Sequence, residues 1–66
     1  MRLLTTDEGW QVRRMIQEAK LSQAMVAVPL KMTRANLNQA INGRYGVDDD
    51  FPRKVEEAVK LLTVDA

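Results

Sequence analysis

Neither cysteine nor histidine occurs anywhere in the 66 residues, and that double absence removes the usual supports of a very short chain. No disulfide can close a loop, and no Cys/His zinc site can hold a core together. A chain of this length buries a small share of its surface on folding. Its order must therefore come from close packing of regular elements, from a second copy of itself, or from both. The apolar share of 45% suits a folded domain and not a disordered tail. There is room for one domain over residues 1–66 and none for a second catalytic lobe.

Polar caps divide the chain into helices. Thr5 and Glu8 have capping-box spacing, and Asp7 and Glu8 suit the positive end of a first helix starting at Thr5 or Thr6. Val12, Met15, Ile16 and Ala19 form its buried stripe. Trp10, the only tryptophan, reads as a partly covered lid on the core. Ser22 caps a short second helix from Gln23, with Val26, Ala27 and Leu30 on its apolar side. Pro29 should end or bend that helix, because proline in a helix interior costs about 3 kcal/mol.

Thr33 caps a third helix running through Asn42, with Gly43 as its stop. Leu37, Ala40 and Ile41 mark its buried side, while Arg34, Ala35, Asn38, Gln39 and Asn42 make an outward face with no acid. Asp48 should cap a last helix over about residues 48–63, with Asp49, Asp50, Phe51 and Pro52 in its first turn. Phe51, Val55, Ala58, Val59 and Leu62 recur there at helical spacing. No strand-like alternation and no internal repeat is visible, so the expectation is an all-α domain of four helices, with allowance for a fifth.

The net charge of +1 hides an uneven distribution. Residues 1–46 carry seven basic and three acidic groups, whereas residues 47–66 carry three basic and six acidic ones. Such asymmetry gives one part of the molecule an attraction for polyanions. No apolar run approaches a membrane span, and Met1-Arg2-Leu3-Leu4 is followed at once by polar Thr5, Thr6, Asp7 and Glu8. Neither a signal peptide nor a membrane helix is expected, and the bacterial cytoplasm or nucleoid is the expected location.

The segment from Gln23 to Gly43 resembles, without a gap, the lambda-repressor-like and Cro-like (XRE-type) helix-turn-helix family of phage and mobile-element regulators. Gln23 matches the family's opening glutamine, Ala27 its small residue at the helix crossing, and Met32 its turn hydrophobe. Thr33 matches its capping hydroxyl, Leu37 its buried aliphatic residue, and Asn42-Gly43 its closing pair. The stretch from Leu37 to Val59 is also similar to the lactose-repressor headpiece and to some antitoxin repressors. Lys31 stands where the family usually has glycine, at a position that tends to need positive φ.

The resemblance implies a compact domain with a helix-turn-helix core over residues 22–43. Two short helices joined by a three- or four-residue turn would place the second in the major groove of double-stranded DNA. Arg34 and Ala35 would then face base edges at the start of that helix, with Asn38 and Gln39 one turn on. Gln23, Lys31, Thr33, Asn36, Asn42 and Arg44 would contact phosphates. Tyr45 would either join them or cover the core. One half-site offers few contacts, so a homodimer on a palindromic operator is implied, its contact carried by the last helix or the tail Leu61 to Ala66.

The alternative is an antitoxin-like or adaptor module whose main partner is a protein. An enzyme is disfavoured, because the chain lacks histidine, cysteine, a phosphate-cradling glycine loop and an evident carboxylate pair. No cofactor, metal or small-molecule ligand is expected, and Asp48-Asp49-Asp50 reads as helix-capping charge. RNA binding is disfavoured by the scarcity of aromatic residues for stacking.

Overall fold

Four α-helices, α1 (Thr6–Glu18), α2 (Gln23–Ala27), α3 (Arg34–Ile41) and α4 (Phe51–Thr63), make up the computed structural model, which describes residues 1–64. Among the described residues there is no β-strand, only an isolated antiparallel bridge between Arg2 and Val47. No described helix is long and apolar enough to cross a membrane. The small all-helical domain expected from the caps and periodicities is what the chain forms. Its core gathers Val12 and Ile16 of α1, Val26 and Ala27 of α2, Leu37, Ala40 and Ile41 of α3, and Phe51, Val55 and Ala58 of α4. Helix α1 packs on α3 and α4, and α2 packs on the same two helices.

The helix starts follow the sequence closely. The Thr5 hydroxyl accepts from the Glu8 backbone N–H at 3.1 Å, and the Glu8 carboxylate accepts from the Thr5 N–H at 3.0 Å, completing a capping box. Ser22 caps α2 through the Met25 N–H and Thr33 caps α3 through the Asn36 N–H.

Three helix ends share one device. At the end of α1, Leu21 N–H bonds to Ile16 C=O and Lys20 N–H to Gln17 C=O. Beyond α2, Met32 bonds to Ala27 and Lys31 to Val28; beyond α3, Arg44 bonds to Gln39 and Gly43 to Ala40. These are Schellman closures, and each turns on one residue with positive φ: Lys20 at 59°, Lys31 at 57° and Gly43 at 74°. Lys31, which stands where the resemblance would place glycine, therefore does have the left-handed backbone that glycine favours. Because Pro29 cannot donate an N–H, regular α2 stops at Ala27, and the connection to α3 runs over residues 28–33, longer than the three or four residues expected. Lys31→Gly relieves the steric strain of the left-handed conformation and is expected to raise thermal stability by about 0.5–1 kcal/mol, or roughly 3–6 °C in Tm. Circular dichroism melting measures it.

The N-terminal segment is tied down in a way no local pattern showed. Arg2 and Val47 exchange backbone hydrogen bonds of 2.8 and 2.7 Å, and Leu4 is buried in the core. The Arg2 guanidinium donates to both oxygens of Glu8 at 2.6 Å and reaches Asp49 at 3.2 Å. This pairing, with the Thr5 N–H second, holds the Glu8 carboxyl down to about 2. A carboxyl depressed in the folded state stabilises the fold fully above its ordinary value near 4.5, and that contribution fades as pH falls towards 2. Between those limits Glu8→Gln is expected to flatten the acid limb of the Tm–pH curve, while leaving a cap-competent side chain at the same position.

Three expectations are corrected. Asp48 does not cap α4: the helix begins at Phe51 with Asp50 at the N-cap position and no side-chain capping bond. The Asp50 backbone lies near φ −95°, ψ 15°, outside the extended region from which a carboxylate reaches back to the first turn. Asp50 instead accepts from Arg53 at 2.8 Å and Asp48 from Lys54 at 2.9 Å. Trp10 is no lid, being 65% exposed. Buried Gly9 brings the α1 backbone so near α3 that an indole has no space between them. Leu62 is likewise exposed, in the last turn of α4 beside exposed Leu61 and Val64. Asp65 and Ala66, which end the tail expected to carry a dimer contact, lie outside the described residues.

Candidate nucleic-acid interface

Helix α3 divides sharply between two sides. Leu37, Ala40 and Ile41 are buried, which fixes the rotation of the helix and leaves Arg34, Ala35, Asn38, Gln39 and Asn42 exposed together. All four residues expected to read bases thus share one solvent-facing surface. Of the residues expected to contact phosphates, Lys31, Thr33, Asn42 and Arg44 are exposed, while Gln23 and Asn36 are half-buried. The Thr33 hydroxyl spends an acceptor position on the Asn36 N–H, and its own O–H remains free to donate. Tyr45 is 38% exposed and lines the same shallow hollow as Met32, Val47 and Phe51, so its ring sits at the edge of the core.

Between Glu18 and Asp48 the chain has no acidic residue, yet it carries Lys20, Lys31, Arg34 and Arg44. The ion pairs sharpen this pattern. Every basic group of α4 is matched: Arg53 with Asp50 and Glu57, Lys54 with Asp48 and Asp50, and Lys60 with Glu56. Arg2 and Arg14 are matched as well. Among the described residues, Arg13, Lys20, Lys31, Arg34 and Arg44 have no carboxylate partner. Three of these five, Lys31, Arg34 and Arg44, belong to α3 and the turns around it, and Lys20 lies in the turn that leads into α2. The carboxylates near α4 bind their own cations, and this raises the Lys54 and Arg53 pKa values and lowers that of Asp50. The uncompensated positive charge is therefore concentrated on the α2–α3 part of the molecule.

Sequence reading missed a connection across three helices. Arg13 Nη2 on α1 donates to Asn42 Oδ1 at 3.0 Å; Asn42 Nδ2 donates to Asn38 Oδ1 at 3.1 Å; and Asn38 Nδ2 donates to Gln23 Oε1 at 3.1 Å. The last link joins α3 to the first residue of α2. Asn38 and Asn42, four apart, were recognisable as neighbours on a helix. The approach of Arg13 and Gln23 depends on tertiary packing and left no local signal. No group of three or more Asp or Glu able to hold a metal occurs among the described residues. Comparisons with protein-family models, with curated proteins and with solved structures gave no match.

Proposed function

We propose that the chain is a sequence-specific double-stranded DNA-binding transcriptional regulator, a repressor of the lambda-repressor-like and Cro-like kind, with α3 as its reader. The observation that carries this reading is the acid-free outer face of α3, set beside the molecule's uncompensated cations. Amides and guanidinium groups at helical spacing suit base edges in the major groove, and unpaired cations suit phosphates. Asn36, Asn38 and Asn42 are weak helix formers. The presence of Asn36 and Asn38 within the eight-residue helix, with Asn42 at its C-cap, is better explained by contact with a ligand than by helix stability. The protein acts as a binding module without catalysis or cofactor, in the bacterial cytoplasm. It works as a homodimer on a palindromic site, and exposed Leu61 and Val64 at the end of α4 supply apolar surface for a second copy.

Selection of bound duplexes from a random pool tests the reading. A palindromic consensus is expected. Arg34→Ala should abolish preference for guanine at one position of each half-site, a loss of about 1–3 kcal/mol in discrimination, and Gln39→Ala should relax a neighbouring position. Binding without any consensus, or a consensus that both variants leave intact, defeats the reading.

A further inference from the structure

We infer that Arg13, on α1 and outside the helix-turn-helix, is a positioning residue that sets how α3 presents Asn38 to a base; the inference rests on the DNA-reading role proposed above. The argument lies in the direction of the hydrogen bonds. The two ends of a carboxamide have nearly the same shape, so packing alone barely distinguishes an amide from its flipped form. A row of three amides can run in either direction with every internal bond preserved. Arginine removes that ambiguity because its guanidinium only donates and stays charged at all relevant pH. Arg13 donates to Asn42 Oδ1, so the Asn42 nitrogen must face Asn38. The Asn38 oxygen then faces Asn42, and its nitrogen faces Gln23 Oε1.

Two consequences reach the surface. Asn38 keeps one N–H and one oxygen lone pair outside the row, the donor–acceptor pair that matches adenine N7 and N6. Gln23, whose oxygen is occupied by Asn38, keeps both hydrogens of its Nε2 amide for an anion. With the row reversed, Gln23 would turn its oxygen outward and repel a phosphate. Arg13 thus holds the base-reading amide and the phosphate-gripping amide in mutually consistent orientations.

Three proteins test this: the full chain, Arg13→Lys, which keeps a donor-only cation, and Arg13→Met, which keeps length and loses donation. Binding is measured on the selected consensus duplex and on duplexes changed at the pair next to Asn38 or at a distant pair. Melting curves check that each variant folds. For Arg13→Met the preference at the Asn38 pair is expected to fall at least about fivefold, the lower end of what one amide–base pair discriminates, on top of any uniform loss from the missing charge. Arg13→Lys should keep that preference, and the Asn38 side-chain NH₂ resonances of the free protein should move in Arg13→Met more than in Arg13→Lys. An equal loss on all three duplexes for Arg13→Met overturns the inference while leaving the DNA-reading role standing. Absence of any consensus for the unaltered chain overturns both.

Discussion

Gly9→Ala is expected to leave most of the protein unfolded, with stability lowered by about 3 kcal/mol or more. A Cβ on Gly9 would fall far inside van der Waals contact of the carbonyl oxygen of Ile41. The obstructing atom is backbone near the end of α3, so no side chain can swing aside to make space. To admit one methyl group, α1 and α3 would have to separate, opening the core around Val12, Leu37 and Ile41. Alanine favours a helix over glycine by only about 1 kcal/mol, too little to offset that. Gly46→Ala is the control: its Cβ would meet only the Met1 side chain, at 3.5 Å and beyond, and its melting should change little. Circular dichroism melting and amide NMR dispersion read both variants. A Gly9→Ala protein that melts with the unaltered chain would mean that the two helices do not approach so closely.

Gly9 also marks the boundary of what the sequence revealed. The starts of α1, α2 and α3 were legible because a cap and the N–H it satisfies lie within three residues of each other. Thr5, Ser22 and Thr33 make the capping bonds their positions imply. The buried faces of α1 and α3 were legible for a similar reason, since period alone separates Leu37 and Ile41 from Asn38 and Gln39. Lys31 could be assigned its left-handed backbone through the helix-turn-helix resemblance, whereas Lys20 has the same conformation with no such guide. What stayed hidden depends on residues distant in the chain. A glycine inside a helix signals a close approach without naming the partner, and Trp10 was misplaced because that approach shuts it out. The Arg2–Val47 bridge and the contact of Arg13 with Asn42 join segments that only the packed core brings together. The candidate site was therefore legible as a set of residues, and its internal orientation was not.

Affinity for the selected duplex is expected to fall by about 10³–10⁵-fold as salt rises from about 50 to about 200 mM. That steepness follows from which charges are already neutralised. Arg34 is assigned to a base, leaving Arg13, Lys20, Lys31 and Arg44 without carboxylate partners among the described residues. On the proposed reading, two chains on a palindromic site would bring about eight such cations to the phosphates, each releasing close to one counterion, so log K should fall against log salt with a slope near −7. Lys31→Ala removes one cation per chain and should make the slope shallower by about two, equally on every duplex. Lys60→Ala removes the same formal charge, but Lys60 is paired with Glu56 at 3.1 Å on α4, and its loss should leave the slope unchanged. The contrast between these variants separates a directed interface from a merely basic protein. A general attraction to polyanions would weaken alike in both, whereas the proposed docking through the α2–α3 surface would register only the loss of Lys31.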